Sequence, residues 1–359
     1  MRPWWRTIGV LLLAAGLSAQ PAAAQPKPEV IAHFGSDTSV RRLLVRGTTD
    51  VALFAPVLTA FVAATPGLGV DYEQWGSNEL YAMSMADCGA AGSPADLVIS
   101  SAVDQQVKLV NDGCAQPHRS ARTDALPATA NWRNEVFGIT LEPAVIVYNR
   151  DLVPAAEAPA SRFDLIDLLR PEKGRYSGKV ATYDIEQSGL GYLFAFADSQ
   201  QATTFGSLIE AFGRSGAVAT CCSVELIDGV AEGRYLIAYN VLGSYARERA
   251  AKDPRIAIVT PADYTLVLMR AAMIPKAAGN PAAAAALIDF MLSDPGRRAL
   301  TETGLQFPFE GSGRSDLRLP RDDNSLFRPI PLSPALLLGL DQQTRAHFLE
   351  RWRKTFPVK

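Results

Sequence analysis

The chain's 359 residues exceed what one hydrophobic core usually serves, so two lobes are expected, and a hydrophobic fraction of 48% gives ample core material. Its 35 Lys and Arg against 37 Asp and Glu leave a formal net charge of -2, which argues against nucleic acid as a partner. The basic runs Arg119-Ser120-Ala121-Arg122 and Arg351-Trp352-Arg353-Lys354 are short and mixed with small or aromatic residues, and read as solvated surface.

Residues 1–24 have the pattern of an export signal. Arg2 and Arg6 give a positive start, Ile8 to Leu17 is an apolar run, and Ala22-Ala23-Ala24 is a small-residue cleavage pattern, so the mature chain is expected to begin at Gln25. The run is too short to cross a bilayer comfortably, and no later stretch of about 18 uncharged apolar residues follows. A soluble monomer in the periplasm is expected, with no cysteine at the cleavage site to carry a lipid anchor.

Leu43 to Arg46 reads as a strand ending in Gly47-Thr48-Thr49-Asp50, after which Phe54, Val57, Leu58, Phe61 and Val62 recur at helical spacing. Pro56 lacks an amide proton, so the regular part of this helix should start near Leu53 to Ala55. Val70 to Trp75 forms the next strand, and Gly76-Ser77-Asn78-Glu79 leads into a second helix. Pro94-Ala95-Asp96 introduces the strand Leu97-Val98-Ile99, which ends at Ser100-Ser101 before a helix carrying Val103, Val107 and Val110. Such repetition argues for an open α/β sheet. Cys88 and Cys114 flank one of these units, and in an oxidising compartment a bridge between them is expected.

Glu135 to Tyr148 is long and β-rich, suited to a connection between lobes, and a hinge is placed there. Gly178 to Tyr183 is a strand, Asp184 to Gly191 a loop, and Tyr192 to Ala197 a helix start. A strand ending at Tyr239 precedes Asn240-Val241-Leu242-Gly243-Ser244 and the helix Tyr245 to Ala251. Cys221 and Cys222 are neighbours, either buried thiols or a redox pair. Metal binding is not expected, because no Cys-x-x-Cys spacing occurs and His33, His118 and His347 are scattered. Leu266 to Met269 reads as the strand returning to the first lobe. Arg270 ends it, able to clamp an anion but read in preference as a surface salt-bridge partner and left out of the site. Lobe 1 thus takes 25–141, lobe 2 142–260, the return 261–310, and a helical tail 311–359.

In open α/β sheets ligands bind beyond the carboxyl ends of strands, where helix N-termini leave amide protons unpaired, and an anion is the natural guest. The loops there offer Thr48, Thr49, Asp50, Ser77, Asn78, Ser100, Ser101, Ser188, Gly189, Tyr239, Asn240 and Ser244, with Tyr264 and Thr265 on the return segment. These are hydroxyl, amide and glycine groups, suited to recognition, although Ser, Thr and Asn before helices also act as plain N-caps. No Gly-x-Ser-x-Gly or His-Glu-x-x-His pattern appears in a catalytic context, so the chain is read as a non-enzyme without a cofactor.

Several motifs in order carry a resemblance: Gly47-Thr48-Thr49-Asp50, Trp75-Gly76-Ser77-Asn78-Glu79-Leu80-Tyr81, Pro94-Ala95-Asp96-Leu97-Val98, Ala238-Tyr239-Asn240 with Ala246-Arg247-Glu248, and Ile274-Pro275-Lys276 before Asn280-Pro281-Ala282. The sequence resembles the periplasmic solute-binding proteins of ABC importers, in the branch that includes ferric-iron and sugar-phosphate binders. The resemblance implies two α/β lobes of the type II periplasmic binding protein fold, a ligand cleft between them, closure on binding and delivery to an inner-membrane ABC permease, or alternatively to a membrane sensor kinase. Ferric binders of this branch carry two neighbouring tyrosines where this chain has Asn240-Val241-Leu242-Gly243-Ser244-Tyr245. A sugar phosphate or organic acid is therefore the leading ligand and ferric iron the alternative.

Overall fold

Apolar strands alternate with helices, and hydrogen bonding sorts the strands into two sheets. The computed structural model describes residues 27–36, 41–89, 94–170, 174–201, 203–307 and 326–356; the expected signal segment 1–24 and residues 311–325 and 357–359 of the expected tail lie outside the described residues. The strands are β1 (Val30–Phe34), β2 (Arg41–Gly47), β3 (Leu68–Gln74), β4 (Leu97–Ser100), β5 (Ala115–Gln116), β6 (Asn131–Trp132), β7 (Val136–Gly138), β8 (Glu142–Asn149), β9 (Val180–Tyr183), β10 (Val218–Thr220), β11 (Ile237–Leu242), β12 (Ile256–Val259), β13 (Thr265–Leu268), β14 (Ala271–Pro275) and β15 (Phe327–Pro329). The first sheet runs β1-β3-β2-β4-β14-β7-β6, with β5 on β14. The second runs β10-β9-β11-β8-β13-β15, with β12 on β8. This is the two-lobed α/β architecture expected from the sequence.

Each sheet has its own core. In the first lobe Leu43, Val45, Val70, Leu97 and Ile99 are buried against Phe54, Val57, Leu58 and Phe61 of helix Val51–Ala64. Burial of each such side chain contributes about 1.5–3 kcal/mol. That helix starts at Val51, earlier than Pro56 predicts. Pro56 and Ala52 both lie on the solvent face, so the Ala52 carbonyl that loses its partner can be hydrated. In the second lobe Ile146, Val180 and Ile237 pack on Leu208 and Phe212 of helix Thr204–Ser215.

The lobes are joined where the chain leaves one sheet for the other. The expected single extended segment over Glu135 to Tyr148 is two strands, β7 in the first sheet and β8 in the second, linked by Ile139–Leu141. The return is shorter than expected: β13 stays in the second sheet between β8 and β15, and only Met269–Arg270 separate it from β14. The two crossings are tied together, with the Ile139 amide donating to the Arg270 carbonyl at 2.8 Å and the Arg270 amide to Thr140 Oγ1 at 2.8 Å.

Cys88, at the end of helix Ser77–Cys88, is bonded to Cys114, with 5.1 Å between Cα atoms and 26 residues of separation. Closing a loop of that length contributes about 3 kcal/mol by the chain-entropy account. Cys221 and Cys222 are also bonded to each other. The tail touches both lobes. Helix Leu337–Leu340 lies on helix Val103–Asn111 of the first lobe, and helix Gln342–Thr355 lies on helix Thr204–Ser215 of the second, burying Phe348 and Trp352.

Candidate ligand-binding site

Loops from both sheets enclose a cleft of about 700 Å³, within the usual size of small-molecule sites. Its first-lobe wall carries Thr48 and Asp50 after β2, Gln74 to Glu79 at the end of β3 and the start of helix Ser77–Cys88, and Ser101 after β4. The second-lobe wall carries Tyr183, Glu186, Gln187, Ser188 and Leu190 after β9, Cys221 to Val224 after β10, and Leu242 and Tyr245 around the end of β11. Arg270, from the return crossing, also lines it.

The lobes meet across this cleft. The Asp50 amide donates to Tyr245 Oη at 3.1 Å, and the Tyr245 hydroxyl donates to Asp50 Oδ1 at 2.7 Å. The Gly189 amide donates to Ser77 Oγ at 2.9 Å, and Asn78 Nδ2 donates to the carbonyls of Glu186 and Gln187 at 3.0 and 2.9 Å. A Cβ on Gly189 would come within 2.6 Å of Gln105 Nε2, so a larger residue there would require the Gln105 side chain to shift. Thr48 Oγ1 accepts the Ser101 amide at 2.9 Å, which ties the first-lobe loops together.

Arg270 is the notable cation of the cleft. It is 1% exposed; its Nε donates to Glu142 Oε1 at 2.8 Å and its Nη1 to Thr49 Oγ1 at 3.1 Å, while its Nη2 has no hydrogen-bond partner. Burial works against the charge, but the Glu142 carboxylate more than offsets it and holds the guanidinium protonated above its ordinary pKa. An unsatisfied buried donor costs about 1–3 kcal/mol, more for a charged group, so a ligand acceptor here is strongly rewarded. Opposing carboxylates stand on the walls: Asp50, Glu79 and Glu186. The hydrogen bond from Arg353 holds Glu186 below the usual carboxylate range. Burial pushes the Tyr245 phenol well above its ordinary pKa, so it is neutral.

Of the residues singled out from sequence, the structure brings Thr48, Asp50, Ser77, Asn78, Ser101 and Ser188 to the cleft. Ser188 also caps its helix, its Oγ accepting the Gly191 amide at 3.0 Å. Gly189 adjoins the cleft through its amide. Thr49 and Ser244 lie one layer behind, fully buried, Thr49 on Arg270 and Ser244 donating to Glu142, so they orient the ion pair rather than face the cavity. Ser100 Oγ accepts the Ala102 amide at 3.1 Å in a local turn.

The remaining four are placed elsewhere. Tyr239 Oη, Asn240 Nδ2 and Tyr264 Oη donate to Asp198 at 2.7, 2.7 and 2.9 Å inside the second lobe, where Arg162 Nη2 also donates to Asp198 at 3.1 Å. Thr265 Oγ1 donates to the Pro261 carbonyl at 2.9 Å. The register of β11 on β8 shifts between Ala238 and Val241, with Asn240 at φ 59°, and such a bulge re-aims the side chains on either side of it. Sequence reasoning weighed Arg270 as an anion clamp but set it aside as a surface salt-bridge partner, and it left out Tyr245. A signal for Arg270 existed: it interrupts the apolar run Leu266-Val267-Leu268-Met269 and Ala271-Ala272-Met273-Ile274, which marks a buried charge better than a surface one. Among the described residues, Cys221, Cys222 and Glu225 are a group whose donor atoms lie within 4.8 Å of one another, but the disulfide occupies both thiols.

The profile of bacterial extracellular solute-binding proteins matches residues 92–328. The chain belongs to that family. A solved substrate-binding protein of an ABC transporter from Agrobacterium tumefaciens is 35% identical, with 92% of this chain and 99% of that one covered and a TM-score of 0.86. Iron-bound HitA from Pseudomonas aeruginosa shares the fold at 20% identity, covering 88% of this chain and 99% of that one, with a TM-score of 0.67. AfuA from Actinobacillus pleuropneumoniae, bound to fructose 6-phosphate, shares it at 15% identity, covering 89% and 100%, with a TM-score of 0.69. No curated protein matches the sequence significantly. In this solute-binding protein two lobes hold a cleft between them.

Proposed function

We propose that the protein is the substrate-binding component of an ABC importer, exported to the periplasm by residues 1–24, and that it captures a small hydroxylated solute bearing one anionic group for delivery to an inner-membrane permease. The observation that carries the ligand class is Arg270, whose buried Nη2 has no hydrogen-bond partner, among the residues lining a cleft whose walls also present Asp50, Glu79 and Glu186. One guanidinium suits a single phosphate or carboxylate, and the carboxylates suit sugar hydroxyl donors. Solutes with two or three carboxylates would meet those wall acids with like charge. A sugar phosphate therefore stands ahead of other organic acids. The solved relative with 35% identity belongs to an ABC transporter, and AfuA was solved with fructose 6-phosphate.

Ferric iron is the weaker reading, because Tyr239 is turned into the second-lobe interior and Tyr245 is a neutral phenol paired with Asp50. The test is thermal unfolding in the presence of hexose phosphates, inorganic phosphate, di- and tricarboxylates and ferric citrate. A sugar phosphate at 100 times its dissociation constant should stabilise the fold by about 2.7 kcal/mol. Stabilisation by ferric citrate alone would overturn the proposal.

A further inference from the structure

The loop after β10 stands at a strand carboxyl end, where this fold places ligand contacts, and it offers a disulfide between neighbours just before the hydroxyl of Ser223. Cys222 precedes helix Ser223–Ala231 without a side-chain cap, and both cysteines are among the residues that line the cleft, with Cys221 Sγ 3.3 Å from Glu225 Oε2. The bridge removes both thiol donors and closes a small ring through the peptide bond, so the loop presents polarisable, acceptor-poor sulfur. Around it the same wall presents Leu190, Leu242 and Val224, the last 42% exposed despite being hydrophobic, beside the polar Glu186, Gln187, Ser188 and Ser223. The facing first-lobe wall carries Thr48, Asp50, Ser77 and Ser101 together with Trp75.

We infer that the Cys221–Cys222 disulfide, with Val224, is a specificity-determining platform that packs against the apolar face of the ligand's sugar ring while the first-lobe wall takes its hydroxyls. This rests on the proposed sugar-phosphate reading and adds to it a residue pair that selects ring-bearing ligands over bare anions. A pyranose or furanose has one C–H-rich face and a rim of hydroxyls, which matches an apolar patch at Cys221, Cys222 and Val224 surrounded by hydroxyl, amide and carboxylate groups. The guanidinium of Arg270 recognises the anionic group in either case, so the sulfur platform acts on the ring alone.

Calorimetric titration of the wild type with glucose 6-phosphate, fructose 6-phosphate and inorganic phosphate, repeated on Cys221→Ser/Cys222→Ser, tests this. The affinity of the better hexose phosphate relative to inorganic phosphate should fall about tenfold in the double variant, from the loss of a buried ring face. Val224→Asn, which leaves both disulfides intact, should lower the same ratio in the same direction. An unchanged ratio in both variants overturns the inference. Wild-type protein that binds inorganic phosphate but no hexose phosphate overturns it too, while leaving an anion site. Binding of none of the three refutes the sugar-phosphate reading itself.

Discussion

Two buried arginine–carboxylate pairs show how address, not chemistry, separates structure from site. Arg162 with Asp198 sits inside the second lobe, and Arg270 with Glu142 sits at the crossing between lobes; all four side chains are at most 1% exposed. Each arginine retains one nitrogen without a protein partner, Nε in Arg162 and Nη2 in Arg270, but of the two only Arg270 lines the 700 Å³ cleft. Asp198 gathers Tyr239, Asn240 and Tyr264 into a closed internal network, whereas Glu142 and Thr49 hold Arg270 while leaving it one donor to offer. The first pair specifies a lobe; the second can recognise a solute.

That contrast can be broken in order of expected effect. Asp198→Ala should be the most destabilising change, about 3–5 kcal/mol, because it leaves buried Arg162 with only Asp263 and the Tyr264 carbonyl and takes the shared acceptor from Tyr239, Asn240 and Tyr264. Chemical denaturation would show this, and any surviving folded protein should keep its ligand affinity. Loss of affinity beyond the loss of folded protein would make Asp198 part of the site. Tyr245→Phe removes the cross-lobe bond to Asp50 and should weaken ligand binding by about 0.5–1.5 kcal/mol with little change in the melting of the ligand-free protein. Ser188→Ala should cost about 1 kcal/mol of stability from the lost helix cap, and a larger effect on affinity than on stability would make Ser188 a ligand contact first.

A third buried acid extends the comparison. Asp104 has an Oδ1 with no partner, and burial pushes its carboxyl up to about 7 from an ordinary 3.8. The folded state thus holds this proton more tightly than the unfolded chain does, so its contribution is fully present below about pH 4 and is lost as pH rises through 7. Asp104→Asn should therefore raise the melting temperature relative to wild type at pH 8 and lose that advantage near pH 4. A difference independent of pH would show that Asp104 stays charged.

Much of this organisation was legible in the residues. Apolar spacing placed the helices carrying Phe54, Val57 and Phe61 and the strand Leu97-Val98-Ile99, since burial on one face leaves a periodic mark. Hydroxyl and amide residues after strands marked Thr48, Ser77, Asn78 and Ser101, which do reach the cleft. Tyr239 and Asn240 misled because a bulge leaves no periodic trace and re-aims side chains that spacing would send to the strand end. Arg270 left a local mark by interrupting its apolar run, but its pairing with Glu142 was hidden, because Glu142 lies 128 positions away along the chain and meets it only where the crossings join. Long-range pairing of this kind is a property of topology, not of local sequence.

The central claim is that Arg270 supplies the anion contact, and isothermal calorimetry of glucose 6-phosphate and fructose 6-phosphate with wild type and Arg270→Met tests it most directly. The account predicts about a 100-fold or greater loss of affinity for the solute that binds wild type, as expected when one partner of a desolvated charge pair is removed. Equal affinity in a folded Arg270→Met protein would contradict it.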